Sequence, residues 1–252
     1  MNIKNKYFYG IINEPDFKIF DVIGINNSKV YSISIDKISA VVSDFGNDEI
    51  YPTRKNISTH ATVQEFLMDK YTLLPAGFGV LASKNEMMDL LQKSKESIVN
   101  EINRLSGVIE VVVKVYWDYN SEIKEIEVNN KEIVKIKSKI NKTSSLLEKQ
   151  NIKIDAGKLV ESLLLDKRNI YSDDIYGYFK NIALDSHKDS ESGIENVLNA
   201  SFLVKKADKD DFIKSIHKLD EKYNNKFNFK CIAPLPPYTF LNVEMNYFKK
   251  PC

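Results

Sequence analysis

Residues 72–79 read TLLPAGFG, one proline and two glycines set between a helical pattern and the start of another helix. A phosphate-cradling loop would need consecutive backbone N–H groups converging on a helix N-terminus, with Lys and Ser or Thr completing a G-x-x-x-x-G-K pattern. Here only Gly77-x-Gly79 is present, no lysine completes the pattern, and Pro75 removes a donor. The three glycines and downstream acid of a dinucleotide fingerprint are not in place either. The stretch therefore reads as a short strand whose glycines let a neighbouring element approach closely.

Working outward from it, the first part of the chain alternates strand and helix signals. KYFYGII (6–12) opens as a strand, VYSISI (30–35) alternates as a half-buried strand, and ISAVVSD (38–44) is apolar on both faces, as a central strand would be. NISTHATVQEFLMDK (56–70) changes to helical period, with Val63, Phe66 and Leu67 on one side and Ser58 or Thr59 as N-cap. After TLLPAGFGVL, residues 85–105 form one long helix capped by Asn85, with Met87, Leu91, Ile98, Ile102 and Leu105 in one stripe and Gly107 past its end. IEVVVKVYW (109–117) closes the unit as a strand.

The middle differs. Ile133, Ile136, Ile140 and Leu147 recur at near-heptad spacing among lysines, and helix continues through 156–184 with a break at the capping cluster Ser172-Asp173-Asp174. This predicts a helical hairpin or lever. SHKDSESG (186–193) reads as a flexible polar linker. The last part is compact βαβ: NASFLVKK as strand, 208–223 as a helix burying Phe212, Ile216, Leu219 and Tyr223, FNFKCIAPLPPYTF as a strand running into prolines with Cys231 in the core, and LNVEMN (241–246) as a further strand. The expected fold class is α+β, two ferredoxin-like α/β sandwich domains joined by a helical segment. The expected boundaries are 1–119, a connector at 120–195, and 196–252, the last packing either alone or with the connector as one unit.

Composition narrows the function classes. The 252 residues are 43% hydrophobic and 28% charged, ordinary for a globular chain. With 36 basic and 35 acidic side chains the net charge is +1, which lacks the excess of a dedicated nucleic-acid binder. No signal-like or membrane-spanning apolar run is visible, and two cysteines, Cys231 and Cys252, are too few for a disulfide framework. A cytosolic protein is expected.

No catalytic constellation emerges. His60, His187 and His217 are scattered outside any metal-binding spacing, and Cys252 follows no prenylation box. Asp173, Asp174, Asp208, Asp210 and Asp211 read as helix caps, and the Lys131–Lys142 run as a solvated helix face. No catalytic, cofactor-binding or metal-binding residue is assigned. What stands out is APLPPYTF: its prolines hold Tyr238 and Phe240 stiffly at a domain edge. The two rings either dock a partner at low entropic cost or tuck back over the domain.

YFYGII, the block RKNISTHATVQEFLMDKYTLLPAGFG, KVYWD and PLPPYTF, in this order, resemble the gas vesicle protein F/L family. Arg54, Asn56, His60, Val63, Glu65 and the frame Leu74-Pro75…Phe78-Gly79 fall in matching order, and the resemblance spans nearly the whole chain. It implies a non-enzymatic structural or assembly role in the gas-filled shell that confers buoyancy, in the cytoplasm and on the gas vesicle. The implied partners are the apolar shell subunit and other accessory proteins, with no nucleic acid, membrane or cofactor. A small-ligand or nucleotide-binding module using a ferredoxin-like groove, motivated by Gly77, Gly79, His60 and Arg54, is the alternative.

Overall fold

The computed structural model describes residues 5–46, 49–190 and 193–242. Cys252 and most of the strand expected at 241–246 lie outside the described residues. The chain divides into two compact units. The first draws its described residues from Met1–Glu110, Leu203–Ala207 and Ala233–Cys252, the second from Val111–Phe202 and Asp208–Ile232.

The first unit begins with four strands in succession: β1 (Asn5–Ile12), β2 (Ile19–Ile23), β3 (Lys29–Ile35) and β4 (Ile38–Gly46). Helix α1 (Arg54–Lys70), strands β5 (Leu73–Pro75) and β6 (Leu81–Ala82), and helices α2 (Lys84–Lys93) and α3 (Lys95–Arg104) follow. The sheet runs β2-β3-β4-β1-β5, with β6 also pairing β1, and every pairing along it is antiparallel. β1 is covered on both faces, as its unbroken apolar run requires. Phe8 and Ile11 join Met87, Leu91, Ile98 and Ile102 of α2 and α3 on one side. Tyr7, Tyr9 and Ile12 join Val63 and Leu67 of α1 on the other. The phase of this alternation slips by one at Gly10, where the β1–β4 register shifts in a bulge.

Gly10 also corrects the reading of TLLPAGFG. Only residues 73–75 are strand, and nothing lies within 4 Å of where a Cβ on Gly77 would sit. The close approach falls on the opposite strand: a Cβ on Gly10 would stand 2.4 Å from the Leu74 carbonyl oxygen. Gly79 serves a turn, at φ +86°. Helix starts differ from expectation as well. Thr53, not Ser58 or Thr59, caps α1 by accepting from the Asn56 amide. Ser83, not Asn85, caps α2 through a reciprocal capping box with Glu86. The stretch read as one helix is two, broken at Ser94.

The second sheet contains β7 (Val108–Trp117), which feeds helices α4 (Tyr119–Asn129), α5 (Lys131–Lys142) and α6 (Leu146–Lys180). Strands β8 (Asp185–Lys188) and β9 (Asn196–Lys205), helix α7 (Lys209–Lys222) and strand β10 (Phe227–Leu235) complete it in the order β10-β7-β9-β8. β7 thus pairs with β9 and β10 and does not close the N-terminal sheet. α6 runs unbroken through Ser172-Asp173-Asp174, because Ser172 faces inward, fully buried, rather than capping a new start. The expected linker begins as β8, and Cys231 is exposed rather than core. Phe179, Phe202 and Phe212 pack with centroids 5.3–5.7 Å apart, bringing α6, β9 and α7 together.

Candidate functional site

The buried stripe of α1 is His60, Val63, Gln64, Leu67 and Met68, at positions i, i+3, i+4, i+7 and i+8. Two of its five members are polar, so their hydrogen bonds must be met inside the protein. They meet those of β1, of the segment after β5, and of the proline-rich stretch beyond β10.

The directions of these bonds follow from what each atom can do. The Ala76 carbonyl oxygen can only accept, and His60 Nε2 lies 3.2 Å from it, so Nε2 carries the imidazole proton. Nδ1 is then an acceptor, 2.8 Å from the Tyr7 hydroxyl. Tyr7 donates there and accepts from the Gly79 amide at 3.1 Å. The Gln64 side-chain NH2 donates to the carbonyls of Tyr9 (2.8 Å) and Ala76 (2.9 Å). Its oxygen accepts from the Tyr238 hydroxyl, which stands 3.3 Å from His60 Nε2. Burial lowers the His60 pKa to about 4, so the ring is neutral, and it pushes the Tyr238 phenol up to about 12.

A second set of bonds holds the residues after Tyr238. The Thr239 amide and hydroxyl donate to the two carboxylate oxygens of Glu110, at 2.9 and 2.7 Å. The Asn242 amide donates to Glu101 at 2.7 Å. Arg104 grips both oxygens of that same carboxylate, at 2.8 and 2.7 Å, and also donates to the Phe240 carbonyl. The guanidinium holds the Glu101 carboxyl below its usual range. The Phe240 ring is 6% exposed and belongs to the core under α2 and α3.

Of the two residues singled out by sequence, Phe240 is therefore tucked into the core, while Tyr238 stays 40% exposed with its hydroxyl turned inward. Gln64, Glu101, Arg104, Glu110 and Thr239 escaped the sequence reading. Gln64 left a signal, being a polar residue between Val63 and Leu67 on an apolar stripe.

The chemistry available here is that of a latch. Gly79 N–H is spent on Tyr7 and the His60 nitrogens on interior partners, so two of the four residues that motivated a nucleotide site are engaged elsewhere. A cavity of about 240 Å³ lies nearby, lined in part by Asp69, Lys70, Gly107, Lys206 and Pro237. Lys206 reaches the Met68 carbonyl at 3.3 Å, and Lys70 sits 4.2 Å from the Phe66 ring centroid. His187 lies exposed 3.5 Å from Asp189, and His217 is exposed on α7. Among the described residues, no group of three or more His, Cys, Asp or Glu is placed to hold a metal ion. No described helix is long and apolar enough to cross a membrane.

The arrangement defines a mixed α/β protein with antiparallel sheets and a buried polar latch built from its most distinctive sequence motifs. The family model for gas vesicle synthesis protein GvpL/GvpF matches residues 5–242, and the chain belongs to that family. It is similar to gas vesicle protein F of Nostoc sp. (strain PCC 7120), 24% identical over 242 residues that cover 94% of this chain and 98% of that one. It is also similar to gas vesicle protein F of Haloferax mediterranei, 21% identical over 249 residues, covering 96% and 95% of the two chains. The crystal structure of GvpF from Anabaena sp. PCC7120 superposes with a TM-score of 0.84 at 23% identity, over 96% of this chain and 99% of that one. That of Microcystis aeruginosa GvpF gives 0.74 at 24% identity, over 94% and 98%.

Proposed function

We propose that this chain is a non-enzymatic structural or assembly protein of gas vesicles, of the F type, acting in the cytoplasm and at the vesicle. It acts by protein–protein contacts with the apolar shell subunit and with other accessory proteins. The family match over residues 5–242 carries this reading. The latch supports it, since the motif residues are joined to one another and the exposed flank of Tyr238 is held rigid at the surface. A shell subunit apolar enough to exclude water aggregates unless its apolar face is covered before assembly. A rigid aromatic covers such a face at low entropic cost. Tyr238 supplies the contact, and Phe240, buried in the core under α2 and α3, anchors the segment that carries it.

For the fold, the path β–α–β–β–α–β with strand order β10-β7-β9-β8 supports a ferredoxin-like reading of the second sheet. The first sheet, with four strands before its first helix, takes a different path.

Co-expression with the apolar shell subunit, followed by affinity capture, size exclusion and crosslinking, tests the function. The reading predicts a complex that stays in solution, with crosslinks near Tyr238. Precipitation of the shell subunit alone, with this chain left uncomplexed, would contradict it.

A further inference from the structure

Helix α6 changes character along its length. Its buried residues are Leu164, Ser172, Ile175 and Phe179, so residues 146–163 bury no side chain. In that first half Ile152, Ala156, Leu159, Val160 and Leu163 are partly covered, in keeping with the packing of α4 and α5 against α6. At about 100° per residue, these five lie on one side of the helix.

A second apolar line runs on the opposite side. Leu147, Ile154 and Leu165 are separated by about two turns and then about three, and fall on one stripe. They are 71%, 57% and 40% exposed. Between Ile154 and Leu165 the same stripe carries Lys158 and Glu161, both exposed and in no ion pair with another described residue.

From Ile154 to Leu165 the pattern reads the same in both directions; Leu147 lies outside this symmetric segment, since its counterpart, Ser172, is buried. A two-fold axis passing between residues 159 and 160 sets Lys158 opposite Glu161 and Ile154 opposite Leu165, each pair occurring twice. We propose that this stripe seats a second copy of the same chain, its α6 laid antiparallel to the first. The charges favour that occupant: the stripe is neutral as a whole, and its one cation meets its one anion across the axis. In the opposite, parallel sense Lys158 would face Lys158. The contact is small, so the dimer is weak and reversible. It is independent of the gas vesicle role and is tested on the chain alone.

Sedimentation velocity of the full chain from about 1 µM to about 200 µM is the test, a range that brackets weak homodimers. The expected result is a reversible monomer–dimer equilibrium. Ile154→Asp raises the dissociation constant about tenfold or more, and Glu161→Lys weakens association because, in both symmetry-related pairs, the introduced lysine then faces Lys158 of the other copy. The double variant Lys158→Glu with Glu161→Lys recovers the wild-type constant to within about threefold, since the pair is restored in reversed sense. All these positions are exposed, so circular dichroism melts should match the wild type. A monomer at the highest concentration, a dimer indifferent to Ile154→Asp, or a double variant no better than Glu161→Lys alone would each overturn the proposal.

Discussion

Helices α1 and α6 both place polar side chains on lines that also carry apolar ones, with opposite results. In α1, His60 and Gln64 share the buried stripe with Val63 and Leu67, and each finds its partners inside the protein. In the first half of α6, Lys158 and Glu161 share a stripe with Leu147, Ile154 and Leu165, and the whole stripe faces out. The difference separates polar residues whose geometry is set by folding from polar residues that only a contact could use. A buried polar group fixes one geometry because leaving it unpaired is costly, whereas an exposed stripe constrains nothing until something covers it. Several of the motif residues that make the chain recognisable, among them His60, Val63, Leu74 and Phe240, sit in its interior, while Arg54, Glu65 and Tyr238 stay exposed.

The largest effect should come from the backbone around the latch. In Gly10→Ala the new Cβ meets the Leu74 carbonyl oxygen at 2.4 Å and Leu73 Cδ1 at 2.8 Å, at φ +150°. A loss of about 3 kcal/mol or more is expected, read by urea unfolding. Should the variant melt like the wild type, the tight β1–β5 contact is not what the fold depends on.

Acid titration comes next. His60 stays neutral in the fold down to about pH 4, whereas in the unfolded chain it takes a proton near its ordinary 6.5. Between those values the unfolded state binds more protons, so stability falls as pH is lowered, by about 3 kcal/mol in all. The contribution is complete above about pH 6.5, and Glu101, held low by Arg104, loses its own share only further into the acid. His60→Gln should flatten the slope between about pH 6.5 and about pH 4. An unchanged slope would remove His60 from the explanation.

Tyr238→Phe takes away one hydroxyl and keeps the ring. A loss of about 1–2 kcal/mol is expected, because Gln64 Oε1 is left without its donor. Capture of the shell subunit should persist if the ring flank is the contact, which separates the latch from docking. The smallest effect belongs to the exposed line on α6. Leu147→Ala should change stability by less than about 0.5 kcal/mol, while Leu164→Ala, 2% exposed on the same helix, should cost about 2–4 kcal/mol. Equal costs would erase the contrast between the two halves.

Much of this was legible before any coordinates. The strands β1, β3, β4, β7 and β9 and the helices α1 and α7 follow from apolar period alone, although Phe66 and Tyr223, expected on the inner stripes, are only partly buried, and His60 and Gln64 share the inner stripe of α1. What period does not carry is pairing. The alternation of Val111, Val113, Val115 and Trp117 says that β7 has an inner face, but not which sheet owns it. All of β8 but Asp185 falls in the stretch that reads as linker, because Ser186, His187 and Lys188 have no strand preference; as an edge strand paired on one side to β9, it needs little. Cap positions slipped by a few residues because several Ser, Thr and Asn candidates compete at each helix start. At the latch, the proline stiffening around Tyr238 was visible, yet its destination depended on Gln64 and Glu110, far off in sequence and unremarkable in type.

The central claim is that, within the first unit, the segment after β10 is held in place by buried carboxylates and the His60–Gln64 pair. Native-state amide hydrogen exchange at Thr239 and Asn242 tests it most directly, because each amide donates to a buried carboxylate, that of Glu110 or Glu101. In the wild type both should exchange as slowly as β1 amides, and in Arg104→Ala, which strips Glu101 of its counterion, the Asn242 amide should become the faster of the two. Rapid exchange of both amides in the wild type, at the rate of an unstructured tail, would contradict the account.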